Sequence, residues 1–322
     1  MESQEILSTL YERYYQEDHT PPGMVSSHWR AMHAKACVQS EKGHIKSVFA
    51  EGFGDLQIDS IPYKLFSQLN IYIQFLILRN RKSIFHVYKI AKDICRRLEV
   101  AMTINSFYQV CTAALLMRMI PKKEEFFILN IGDGYGLLSI LLKEFYPKAK
   151  IVLVDLGKTL LFQAEFCQKA HPSKKHVLLS AENRQDIQDV DFIYCPAEDI
   201  FLLDPLRFDL AVNVVSMQEM NASTIQDYFD FIRLHMKEEN HFYCCNRIKK
   251  KLIGGEVTRI DDYPWEKEDR HIIDEICPWR GFFVYHRKIS ERGLMIGKFR
   301  IPFVSYMDGD IKHRLTVLKT AD

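Results

Sequence analysis

The sequence has almost no charge bias: 43 basic and 42 acidic side chains leave a formal net charge of +1 over 322 residues. A polyanionic partner selects for a basic surface, so nothing here favours nucleic acid. The one basic run, Arg247-Ile-Lys-Lys-Lys251, could touch phosphate, but short runs like it are usually solvated faces. The eight cysteines contain no C-x-x-C pair, which excludes the compact zinc and redox spacings. They read as small buried hydrophobes in a reducing cytosol, and adjacent Cys244 and Cys245 would point to opposite faces of a strand. Long apolar runs are missing too, so no membrane span is expected. The opening Met1-Glu-Ser-Gln-Glu-Ile6 has acids where a signal peptide has a basic stretch and an apolar core, and a cytoplasmic location is expected. There are no repeats or low-complexity tracts. Glycine is scarce at 14 residues, yet three of them fall at 132, 134 and 136.

That cluster sits in Phe126-Phe-Ile-Leu-Asn-Ile-Gly-Asp-Gly-Tyr-Gly-Leu-Leu-Ser-Ile-Leu-Leu142. It reads as a buried strand, a glycine turn and an apolar helix. Such a unit places a nucleotide-like ligand against backbone N–H groups at a helix start. Before it, residues 64–119 follow a helical period with breaks near Asn80 and Thr103, as in Ile71, Phe75 and Leu78. Tyr11, Tyr14 and Tyr15 lie on an earlier helix candidate, and another is centred on Trp29. Residues 49–54 read as a loop. Residues 1–120 are therefore expected to form a helical cap or substrate region, ending at Pro121.

From 121 to 322 strands and helices alternate. Strands are expected at 126–131, 150–154, 191–194, 208–215 and 241–246, with helices at 136–146, 160–170 and 223–236. This rhythm predicts an α/β fold: a doubly wound, mainly parallel sheet with an N-terminal helical cap. Residues 281–286 and 314–318 are expected to close the sheet as an antiparallel pair.

The turn spells Gly132-Asp-Gly-Tyr-Gly136. A dinucleotide fingerprint needs glycine at 137, where this chain has Leu137, so a nicotinamide oxidoreductase is disfavoured. The plain alternative is a tight turn that binds nothing. Three further features point to a ligand. Asp155 ends the second strand, where a carboxylate can take both hydroxyls of a ribose. Cys195-Pro-Ala-Glu-Asp199 follows the third strand, and either Glu198 or Asp199 could accept from an adenine amino group. Asn213 to Glu219 runs off the fourth strand, where ligands of open α/β sheets sit.

G-x-G-x-G spacing is characteristic of S-adenosylmethionine sites, and Asn130-Ile-Gly-Asp-Gly-Tyr-Gly136 with Val154-Asp155 resembles a class I S-adenosylmethionine-dependent methyltransferase, with its Rossmann-like fold. A second set is Phe208-Asp-Leu-Ala-Val-Asn-Val-Val-Ser-Met-Gln-Glu-Met220, Tyr228-Phe229, Phe242-Tyr243, Asn246-Arg247 and His313-Arg-Leu315. With Asp155-Leu156, Thr159-Leu160 and Gln163, it resembles the sugar O-methyltransferases of bacterial surface-glycan gene clusters. The resemblance implies S-adenosyl-L-methionine held by Asn130, Gly132, Asp133, Gly134, Tyr135, Gly136, Asp155, Leu156, Glu198 or Asp199, Asn213 and Ser216. It implies methyl transfer to a sugar hydroxyl. Asn130 departs from the family, which usually has an acid there; either the sulfonium loses a neighbouring charge or Asp133 supplies it.

An acceptor hydroxyl calls for a general base. Glu219 follows the fourth strand and is the first candidate, with a helix-start acid as its plain alternative. His271 and His313 have a suitable unperturbed pKa, though a lone histidine is more often structural. Gln218, Asn246 and Arg247 are candidate sugar contacts, against roles in capping and loop satisfaction. Tyr263, Trp265 and Trp279, with the tyrosines and Trp29 of the cap, could give a sugar platform, and most should be core. No metal is expected, because no compact ligand cluster stands out. The partner expected is a small-molecule or glycan acceptor, and a homo-oligomer is allowed. A methyltransferase of another acceptor, and a non-catalytic relative that kept the fold, are the competing readings.

Overall fold

The computed structural model of the chain describes residues 3–21, 23–33, 36–41, 44–50, 61–185, 187–284, 293–306 and 309–320. Its centre is an eight-stranded sheet. In chain order the strands are β1 (Phe127–Ile131), β2 (Lys150–Asp155), β3 (His176–Leu178), β4 (Phe192–Pro196), β5 (Phe208–Val214), β6 (Met236–Arg247), β7 (Arg270–Ile276) and β8 (Ile311–Val317). Across the sheet they run β3-β4-β2-β1-β5-β6-β8-β7. The six from β3 to β6 are parallel, and β8 is antiparallel to both its neighbours. The chain leaves β1 for β2 on one side and returns to β5 on the other. That reversal opens a crevice beyond the carboxyl ends of β1 and β5. The doubly wound, mainly parallel α/β sheet expected from the sequence is the one formed.

The helices among the described residues are α1 (Ser3–Tyr11), α2 (Ser27–His33), α3 (Ile61–Ile77), α4 (Arg81–Arg97), α5 (Ile104–Met119), α6 (Leu137–Phe145), α7 (Gly157–Ala170) and α8 (Ala222–His235). The central strands are mostly apolar because both faces are covered. Every residue of β1 and β5 is buried. Strand alternation sorts them: Ile128, Ile151 and Val212 join one apolar cluster with α5, α6 and α7, while Leu129, Val152 and Ala211 join another with α8. Cys244 and Cys245 fall in opposite clusters, as their adjacency predicts. Leu10 of α1, Val87 of α4 and Phe107 of α5 share the first cluster with the sheet residues Ile128 and Leu153. None of the described helices is long and apolar enough to cross a membrane.

The helix breaks expected at Asn80 and Thr103 are real. Asn80 takes a left-handed φ of 58°, and Thr103 caps α5 through Ser106. Two expectations need correction. The region before 120 also contains a β-hairpin, Ala36–Glu41 with His44–Ala50, whose second strand takes in the first residues of the loop expected at 49–54. The rest of that loop lies outside the described residues. The closing pair is also different. Phe282–Val284 pairs with Phe299–Tyr306 in a separate small sheet, and β8 lies between β6 and β7. β7 escapes a sequence reading because it is an edge strand, with Arg270, Asp274 and Glu275 on an exposed rim. Charged edges of this kind block further strand addition, and they erase the apolar signature.

Candidate functional site

The turn after β1 has Gly132, Gly134 and Gly136 at φ 74°, 61° and 91°, a region closed to most side chains. Gly132 is also tightly packed: a Cβ there would lie 1.9 Å from the Ser216 Oγ. Asp133 turns back to the helix it precedes, and its Oδ2 accepts from the Ser139 N–H of α6 at 2.7 Å. Burial pushes its carboxyl up to about 7. One strand over, Asp155 ends β2. Its Oδ1 accepts from the Leu156 N–H at 2.8 Å and its Oδ2 from Gln163 Nε2 at 2.7 Å. Burial, reinforced by nearby Asp133, pushes it up to about 8.

These residues line a cavity of about 210 Å³ beyond the strand ends. Gly132, Asp133, Gly134 and Tyr135 line it together with Asp155, Ser216 and Glu219. A tighter space of about 20 Å³ adjoins it, sharing Trp29, Asp155, Ser216 and Glu219 and reaching Leu156, Ala197 and Tyr228. Val215, at the mouth of β5, has φ 59°, an outlier for a β-branched residue. Strain of this kind collects where a loop is held in place for a ligand.

Glu219 faces both spaces. Its Oε1 lies 3.4 Å from Lys250 Nζ and its Oε2 3.4 Å from His28 Nε2. Burial holds His28 below the ordinary imidazole value, outweighing the opposite pull of Glu219, so the ring is neutral at pH 7.

Other expected site residues lie elsewhere. Asn130 is buried and donates to Ser139 Oγ at 2.9 Å, turned into the α6 interface. Glu198 and Asp199 meet the N-terminal segment: Tyr14 Oη donates to Glu198 Oε1 at 2.5 Å, leaving Glu198 Oε2 buried without a partner, and Arg13 pairs with Asp199 at 2.9 Å. Asn213, Gln218 and Asn246 form a buried network. Asn246 Nδ2 donates to Asn213 Oδ1 at 2.8 Å, the Gln218 N–H donates to Asn246 Oδ1 at 3.1 Å, and the Arg247 N–H donates to Gln218 Oε1 at 2.8 Å. Asn213 Nδ2 also reaches the Ile131 carbonyl, tying β5 to β1.

Neither candidate histidine joins the cavity. His271 is exposed on the edge strand β7, hydrogen-bonded to Thr316. His313 is buried between Tyr243 and Glu275, and it lines a separate space of about 590 Å³ beside Trp279. Tyr263 and Trp265 pack on Phe229, across the sheet from the first cluster.

The sequence reading missed Gln109 and Arg280 as cavity residues and His28 as a partner of Glu219. Gln109 and Arg280 carry no local pattern. The fold alone brings α5 and the turn after β7 to the glycine turn.

No protein-family model and no curated protein matches the chain. Solved structures do match. PKMT2 from Rickettsia typhi is 20% identical at a TM-score of 0.28, over 39% of this chain and 22% of that one. TrmN from Thermus thermophilus is 13% identical at 0.34, over 65% and 48%. Coclaurine N-methyltransferase bound to N-methylheliamine and SAH is 9% identical at 0.35, over 67% and 74%. The matched stretch is thus about a fifth of PKMT2 and under half of TrmN. At TM-scores this low the likeness decides neither chemistry nor acceptor.

Proposed function

We propose that this chain transfers a methyl group from S-adenosylmethionine to a hydroxyl of a small-molecule or glycan acceptor, with a sugar as the favoured acceptor. One observation carries the proposal. A triple-glycine turn at the sheet's reversal point and a carboxyl on the next strand tip face the same cavity. The residues fit an adenosyl ligand. Only glycine at 132 lets the turn pass this close to Ser216, which also lines the cavity. Asp155 accepts from the Leu156 N–H, Gln163 and the Thr159 hydroxyl, and its carboxyl keeps acceptor capacity for a ribose hydroxyl. Leu156, Ala197 and Tyr228 supply an apolar slot beside it.

Bound there, S-adenosylmethionine supplies a methyl group on a positively charged sulfur. The chain's task is to align an acceptor oxygen with that methyl and keep water out, which can supply up to about 10 kcal/mol. Glu219, which lines the same cavity as the glycine turn, is the acid we assign to accept the hydroxyl proton. Lys250 and His28 fix its orientation. Asn130 contributes helix packing, and Asp133 is the acid nearest the turn. The sugar preference rests on the resemblance carried by residues 208–220 and the motifs after them.

Calorimetry with S-adenosylmethionine and its demethylated product tests the cofactor. The unmodified chain should bind both, and Asp155→Ala should weaken binding about tenfold, the loss expected when a buried hydrogen-bonding carboxyl is removed. No binding by the unmodified chain ends the reading. Turnover over a panel of nucleotide sugars, followed as release of the demethylated cofactor, tests the rest. Glu219→Gln should lower it by roughly a hundredfold, and near-normal turnover would remove Glu219 from the role. Cofactor binding without turnover on any acceptor would favour the non-catalytic reading.

A further inference from the structure

Arg280 is 6% exposed, and its guanidinium lies over the Tyr108 ring at 4.7 Å. Its Nε is buried without a hydrogen-bond partner. Among the described residues no carboxylate comes within ion-pair distance of it, although Asp133, Asp155 and Glu219 line the same cavity. A buried charge without a partner is costly, and proteins keep one where a ligand completes it. Gln109 lines the same cavity and has its side-chain oxygen buried and equally unpaired. A donor and an acceptor that the fold leaves without hydrogen-bond partners therefore lie beside one space.

We propose that Arg280 is an anion subsite of this cavity, taking a carboxylate or phosphate of a bound ligand, with Gln109 accepting from an adjacent ammonium or hydroxyl. The planar guanidinium is the side chain best suited to such a group, because its fork of donors matches two acceptor oxygens. Two sources carry that chemistry: the amino-acid end of the cofactor, and an acidic group on the acceptor. Only the first rests on the cofactor proposed above.

The test uses the full chain and Arg280→Gln, with Arg280→Lys as a charge-retaining variant. Each is titrated with S-adenosylhomocysteine and with 5′-methylthioadenosine, which lacks the amino-acid end. Each is also titrated with inorganic phosphate and glucuronate, with and without S-adenosylhomocysteine present. If the anion belongs to the cofactor, Arg280→Gln loses about 10- to 100-fold in S-adenosylhomocysteine affinity and nothing for methylthioadenosine. If it belongs to the acceptor, both nucleosides bind unchanged and the phosphate and glucuronate signals disappear, with partial retention in Arg280→Lys. The subsite is overturned if Arg280→Gln matches the unmodified chain for all four probes. It is also overturned if the variant loses methylthioadenosine as much as S-adenosylhomocysteine, which marks a collapsed pocket. Should the unmodified chain bind no nucleoside, the cofactor reading fails, and the anion titrations alone decide the subsite. Thermal unfolding is a second readout: Arg280→Gln gives up the contact with the Tyr108 ring but no ion pair, so it should melt within a few degrees of the unmodified chain.

Discussion

Two polar regions meet at the carboxyl ends of the strands, and they are built on opposite principles. In one, Asn213, Gln218 and Asn246 exchange hydrogen bonds with each other and with backbone. In the other, Asp133 and Asp155 are held toward their protonated forms by burial, and Gln109 and Arg280 each bury a polar atom that nothing satisfies. A fully satisfied network fixes a fold, whereas unmet polar groups around a space are an invitation to a ligand. Residue type does not separate the two regions, since both are rich in amides and charges. Completeness of pairing does.

The sharpest way to break the distinction is at the hinge between the regions, where Gly132 rests on Ser216. Gly132→Ala puts a methyl group 1.9 Å from Ser216 Oγ, on a backbone at φ 74°. The combined overpacking and strain should cost about 3–5 kcal/mol and abolish cofactor binding. Adding Ser216→Gly removes the collision and leaves the φ penalty, so it should recover part of the stability. Urea denaturation of the single and double variants measures both. Equal stability of the two variants would mean that the close contact contributes nothing.

The next effect is a slope in pH. Asp155 is pushed to about 8 in the folded chain, against about 3.9 unfolded. Its carboxyl binds a proton more tightly when folded, so its stabilisation is fully present below about pH 4 and is lost as pH rises through 8. Between pH 6 and pH 8 the loss should reach about 2 kcal/mol. Asp155→Asn should flatten the slope, leaving the smaller share owed to Asp133, which is pushed to about 7. Denaturation of both proteins at pH 6 and pH 8 checks this. An unchanged slope in the variant would place the pH sensitivity elsewhere.

How much of this was legible in the sequence follows the range of the forces involved. The glycine turn, the strand-end acid Asp155 and the buried runs of β1, β2 and β5 are local patterns, and they read correctly as elements. The cavity position of Glu219 followed from knowing where an open α/β sheet keeps its crevice. Asn213 and Gln218 sit in the segment expected to hold ligands and Asn246 was expected to touch the sugar, but whether an amide bonds to a ligand or to another amide depends on pairings across β1, β5 and β6, which no local pattern records. Arg280 is the converse case. It follows an edge strand with no motif, and only the closing of β7 onto β8 brings it beside a turn nearly 150 positions earlier in the chain. Glu198 shows a third limit, because its partner Tyr14 comes from the first helical segment, and no spacing rule links the two.

The satisfied network offers the smallest effect and the cleanest contrast. Asn246→Leu keeps most of the volume but removes the donor to Asn213 Oδ1 and the acceptor for the Gln218 N–H. Asn213 Oδ1 still accepts from the Met217 N–H, so only the Gln218 N–H is orphaned in a buried site. One orphaned buried donor should cost about 1–2 kcal/mol, seen as a lower midpoint in urea with an unchanged slope. Affinity for the demethylated cofactor should stay within about twofold, because Asn246 does not line the cavity. A direct sugar contact predicts the reverse pattern: little loss of stability, with the acceptor KM raised and turnover at saturation kept. Since Asn246 lies 33 residues beyond Asn213 and meets it only through the pairing of β5 with β6, the outcome decides whether that amide was selected for the sheet or for a ligand.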